Sequence, residues 1–177
     1  MGLWGRRFRN QAEQGEWAEI RFVARAAEQR FRVSKPWGNT APYDLMVERD
    51  GKICRVQVKS TTCRVSSGAY PCSMPSGKRW VRLLEEVDYV VAYVIPLDLW
   101  YVIPAGVVKK RKGAITLAPW RRRSKYERYM EAWYLMREWR EGEKSAGALK
   151  RARNRARVRA RESARVESLG IRQTAAR

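Results

Sequence analysis

Three side chains that could do chemistry together, Asp44, Gln57 and Lys59, fall within one short stretch, PYDLMVERDGKICRVQVKS, from Pro42 to Ser60. Two strand-like runs meet there at Asp50-Gly51, a dipeptide suited to the two central positions of a tight hairpin. With those residues as the loop, Arg49 faces Lys52, and counting back along both strands places Asp44 opposite Gln57. Directly opposed residues have Cβ atoms roughly 5 Å apart. Side chains alternate along a strand, so Asp44, Gln57 and Lys59 share one face. Leu45, Val47, Cys54, Val56 and Val58 share the other, which suits a buried core. A carboxylate, an amide oxygen and an ammonium on one polar face suit a hard cation and an activated water. Phosphodiester cleavage needs such a site, because nucleophile and target are both electron-rich and Mg²⁺ offsets the repulsion. Asp44 would give the cation a charged oxygen and Gln57 a neutral one. Lys59 would orient the attacking water or stabilise charge on the pentacovalent phosphate.

The rest of the composition narrows the chemistry to this kind. The chain has no histidine, which removes Ser-His-Asp and Cys-His catalysis and imidazole bases. It has no GxxxxGK[ST] phosphate loop. Its three cysteines, Cys54, Cys63 and Cys72, are spaced nine apart, a pattern of neither disulfides nor zinc, and are expected to be free in a cytoplasmic protein. No apolar run approaches the 18 or so residues of a membrane span, and MGLWGRRFRN lacks a secretory core segment.

The elements that must position the polar face follow from periodicity. Asn10 to Phe31 reads as a helix with Trp17, Ile20, Val23, Ala24, Ala27 and Phe31 as its apolar stripe. Glu19 falls at the edge of that stripe and can reach toward the sheet; Glu16 points nearer its centre and competes for the same role. Phe31 to Val33 begins a strand. Residues 61–80, rich in Ser, Gly and Pro, read as a long exposed connection. Val87 to Ile95 reads as a strand covered on both faces, Leu99 to Gly106 as a second and Ala114 to Pro119 as a third. From Arg121 onward Tyr126, Tyr129, Met130, Trp133 and Arg137 recur at helical spacing, which favours packing over base stacking.

The residues Asp44 and Gln57-Val58-Lys59 resemble the PD-(D/E)XK nuclease signature in the variant where glutamine replaces the second acid; Pro42-Tyr43-Asp44 carries one residue more than a strict Pro-Asp. Gly15-Glu16-Trp17-Ala18-Glu19 resembles the first-helix motif of that superfamily, and Glu86 to Pro104 and Tyr129 to Met136 resemble later blocks of its group I intron-associated homing endonucleases. The similarity covers about Gly15 to Trp139. It implies an α/β (α+β) restriction-endonuclease-like core, a central mixed sheet flanked by helices. It also implies that Glu19 completes a Mg²⁺ site with Asp44, Gln57 and the Val58 carbonyl. The implied activity is a sequence-specific, intron-associated endonuclease acting on double-stranded DNA as a homo-oligomer, a dimer or tetramer. A Holliday-junction resolvase, a restriction-type nuclease, or a non-catalytic nucleic-acid-binding protein would share the core.

Charge supplies the partner independently of the motif. The formal net charge is +20, with residues 1–120 carrying 20 basic against 11 acidic groups and residues 121–177 carrying 18 against 7. Such an excess attracts a polyanion. Arg121, Arg122, Arg123 and Lys125 form one basic group. The segment KRARNRARVRARESAR, Lys150 to Arg165, places Arg151, Arg153, Arg155 and Arg157 at two-residue spacing. On a helix these circle the axis and leave no apolar face to dock. The chain therefore divides into an endonuclease-like domain, 1–142, and a basic tail, 143–177, helical or disordered until phosphates order it.

Overall fold

In the computed structural model, Asp50 and Gly51 both take positive φ, +52° and +78°. These are the angles a two-residue hairpin with the native strand twist demands. They join β2 (Leu45–Arg49) to β3 (Lys52–Thr61) with Arg49 opposite Lys52 and Leu45 opposite Val56. The described residues are 8–38, 40–74, 77, 82–109 and 113–137. The basic tail, including Arg151, Arg153, Arg155 and Arg157, lies outside them.

Around the hairpin a five-stranded mixed sheet forms in the order β1-β2-β3-β5-β6, with β1 at Arg32–Ser34, β5 at Tyr89–Val94 and β6 at Leu99–Pro104. β3 runs parallel to β5, and every other pairing in this sheet is antiparallel. Both faces of β5 are buried: Val90, Ala92 and Val94 enter one core, and Val91 and Tyr93 the other. The first core is closed by β4 (Tyr70–Cys72), which pairs with β7 (Ile115–Leu117), and by the short α2 (Ala105–Lys109). The second lies under α1 (Gln11–Glu28). Helix α1 starts at Asn10, whose side chain accepts the Glu13 amide at 2.9 Å. It ends in a Schellman closure, with Arg30 at φ +63° and the Phe31 amide returning to the Ala26 carbonyl at 3.0 Å.

Three expectations are corrected. The buried stripe of α1 is Ala18, Phe22 and Ala26, while Ile20 is 67% exposed and Val23 39%. Two alanines let the helix approach the sheet closely, and one phenylalanine fills the space between them. Residues 61–80 are not simply an exposed connection, because Tyr70 and Cys72 in β4 are buried beneath the sheet. Residues 121–137 form no α-helix. They run as tight turns with 3₁₀ segments at Glu127–Tyr129 and Trp133–Met136, interrupted by positive φ at Arg123 and Glu131. A three-residue turn returns side chains to one side much as a helix does, and Tyr126, Tyr129, Met130 and Trp133 are indeed buried.

The positive φ at Glu131 aims a buried carboxylate into the seam between α1 and β6. Its oxygens accept the Trp100 amide at 2.9 Å, the Trp133 indole at 2.9 Å and Arg25 at 3.2 Å. This cluster clamps α1 onto the sheet. Removing one partner of a buried ion pair costs about 3 kcal/mol or more. Glu131→Ala is therefore expected to lower the unfolding free energy by about that amount in a urea titration, and a loss below about 1 kcal/mol, the scale of an exposed pair, would deny the clamp its role.

Candidate active site

Strand β2 begins at Leu45, opposite Val56, and beyond that point β3 parts from it and runs on to Thr61 beside β5. Asp44 is the first residue beyond that departure, still tied to the hairpin by its amide on the Val56 carbonyl at 3.0 Å. Its side chain turns onto β3: Oδ2 accepts the Val58 amide at 2.7 Å and the Gln57 side-chain Nε2 at 2.6 Å. Gln57 is buried and Lys59 half-buried. The strand register thus brings Asp44 and Gln57 into direct contact, with Val58 completing the contact through its backbone.

Burial pushes the Asp44 carboxyl above its usual range. Lys59, the Val58 amide and Gln57 pull it back, and the charge of Glu19 pushes it further up. Desolvation outweighs the donors, so Asp44 holds its proton more readily than an exposed aspartate and gains from a further positive neighbour. Glu19, half-buried on α1 next to Ala18, is close enough to act on Asp44, whereas Glu16 is exposed to solvent. The corrected phase of α1 accounts for this, since the buried stripe runs beside Glu19 and away from Glu16.

The donor set suits a hard cation. Asp44 and Glu19 offer carboxylate oxygens and Gln57 an amide oxygen, because its nitrogen is the atom bonded to Asp44. Among the described residues no group of three His, Cys, Asp or Glu could hold a metal. Cys54 and Cys72 are free and buried, and Cys63 is free and exposed. Cys72 lies in the core, where burial pushes its thiol up to about 12.

A cleft of about 470 Å³ opens beside Lys59, between the start of α1 and the end of β3. Gln14 spans it with a 3.0 Å hydrogen bond from Nε2 to Ser60 Oγ. Sequence reasoning missed one charged neighbour: Lys35, just after β1, bonds Glu19 Oε2 through Nζ at 2.9 Å. Its place in the breaker-rich loop between β1 and β2 gave no periodicity to read. Arg121, Arg122, Arg123 and Lys125 are all exposed on the turns after β7.

Residues 9–136 match the family model described as PD-(D/E)XK endonuclease. The chain belongs to the PD-(D/E)XK endonuclease family. Its core is restriction-endonuclease-like, and it is similar to the solved structure of a bacterial homing endonuclease. That likeness has 30% identity and a TM-score of 0.61, covering 71% of this chain and 90% of the other. No curated protein matches the chain at a significant level. In this PD-(D/E)XK endonuclease Gln57 stands across from Asp44, and its side-chain amide donates to the carboxylate.

That contact makes a sharp test. Gln57→Glu sets two carboxylates where a 2.6 Å donor–acceptor pair stood, and like charges at that range cannot both ionise without a cation between them. The variant is expected to melt below wild type in EDTA and to gain more from Mg²⁺ than wild type does. Equal Mg²⁺-induced shifts in the two proteins would place Gln57 outside the cation site.

Proposed function

We propose that this endonuclease is a Mg²⁺-dependent, sequence-specific DNA endonuclease whose site is Glu19, Asp44, Gln57, the Val58 carbonyl and Lys59. The observation that carries the proposal is the Asp44 carboxylate, half-buried, pushed up by desolvation and pinned by Gln57 and Val58. A carboxylate in that setting binds a cation at the cost of its proton, so Mg²⁺ binding weakens as pH falls. Bound there, Mg²⁺ neutralises phosphate charge and lowers the pKa of water. Glu19 and Asp44 hold the charge that fixes its position, and Gln57 keeps Asp44 in one rotamer. Lys59, beside the cleft, meets the phosphate and stabilises the negative charge of the transition state.

Charge and likeness support the substrate. A net charge of +20 favours a nucleic acid, and the similar solved structure is a bacterial homing endonuclease, which supports double-stranded DNA and an intron-associated gene. Arg121, Arg122, Arg123 and Lys125 would track the phosphate backbone, joined by Arg151, Arg153, Arg155 and Arg157 of the tail, 143–177. Such contacts position the protein, and base contacts specify the site. A homo-oligomer, dimer or tetramer, would read a long target, and cytoplasmic residence fits three free thiols among the described residues.

Plasmid nicking tests the mechanism. Asp44→Ala and Lys59→Ala are each expected to reduce cleavage at least about a hundredfold, the scale of one transition-state contact, with circular dichroism unchanged. Asp44→Ala also loses Mg²⁺ binding, whereas Lys59→Ala retains it. Cleavage that survives in a folded Asp44→Ala protein, or persists in EDTA, overturns the proposal and leaves a nucleic-acid-binding protein on the same fold.

A further inference from the structure

Lys35 stands where two demands on one carboxylate meet. Its Nζ lies 2.9 Å from Glu19 Oε2, with the lysine side chain 65% exposed and the glutamate 22%. Asp44 and Glu16 are near enough for their charges to act on the same ammonium. The immediate site therefore gathers two lysines, Lys35 and Lys59, around two carboxylates, Glu19 and Asp44. A divalent cation on Glu19 and Asp44 would face an ammonium already bonded to one of its ligands. Two positive charges on one oxygen repel, and the group that can leave is the exposed one on a flexible four-carbon stem.

We infer that Lys35 is a positioning residue that holds Glu19 toward the site, yields it to the divalent cation, and then contacts a phosphate of the DNA substrate. This inference rests on the reading of Glu19 as a cation ligand. Lys35 follows directly on β1 and opens the loop that delivers Asp44, so a short swing suffices to change partners. The exchange links two binding events: the cation frees the lysine, and the phosphate keeps it from returning. Linkage then requires DNA to tighten cation binding by the factor with which the cation tightens DNA binding.

Two measurements on the full-length chain test it. In calorimetry with Mg²⁺ alone, Lys35→Met is expected to bind the ion roughly two- to fivefold more tightly than wild type, the scale of one partly exposed ion pair. Lys35→Arg is expected to stay near wild type, and Glu19→Gln to bind more weakly. In DNA binding followed against salt, the wild-type slope is expected to exceed that of Lys35→Met by about 0.9 in Ca²⁺, the signature of one phosphate contact. In EDTA the two slopes should coincide. A merely structural Lys35 would not produce a difference that depends on the cation. If Glu19→Gln weakens Mg²⁺ binding but Lys35→Met does not tighten it, or the slopes differ equally with and without Ca²⁺, the exchange is wrong while the cation site stands. If Glu19→Gln leaves Mg²⁺ binding unchanged, the assignment of Glu19 fails and the exchange with it.

Discussion

The register of one hairpin constrains everything else in this molecule. Asp50 and Gly51, both at positive φ, make a two-residue turn that sets Arg49 against Lys52. That pairing carries Asp44 to Gln57. A slip of one residue would turn one strand's set, Leu45 and Val47 or Cys54, Val56 and Val58, out of the core under α1. All five are buried. The hydrophobic core thus enforces the spacing of Asp44, Gln57 and Lys59.

Stability and chemistry pull against each other at Asp44. Even partial burial of a carboxylate costs free energy unless its charge is compensated, and here two hydrogen bonds and Lys59 compensate only in part. The cost is offset by the sheet on either side: β5 is buried on both faces, and Tyr93 stacks on Trp100 with ring centroids 3.9 Å apart. The Glu131 cluster adds the orientation of α1, which sets where Glu19 stands. A residue far along the chain thereby governs a side chain near its start.

What was legible in the sequence follows from how local each signal is. The hairpin, its turn and its two faces rest on residues adjacent in the chain, and the structure has them as read. β5 was legible because a run covered on both faces leaves no polar position. The phase of α1 was not, since large apolar side chains are conspicuous and the alanines that seat a helix are not; Ile20 and Val23 drew the stripe to the wrong face. β4 escaped because three residues, Tyr70 to Cys72, carry no periodicity until β7 pairs with them. The turns over 121–137 imitated a helix because their repeat is also about three. Lys35 could not be found in sequence at all, as its partner Glu19 lies 16 residues away in another element.

The central claim is that a cation binds where β2 leaves β3, between Asp44, Gln57 and Glu19. The most direct measurement is the broadening of amide NMR signals by substoichiometric Mn²⁺. The side-chain amide of Gln57 and the backbone amides of Val58 and Lys59 are expected to broaden first. The amide of Gly51 in the hairpin turn, six residues before Gln57 and about 20 Å from it, should stay sharp. Broadening centred on the hairpin tip, or spread evenly over exposed carboxylates with Gln57 untouched, would contradict the account.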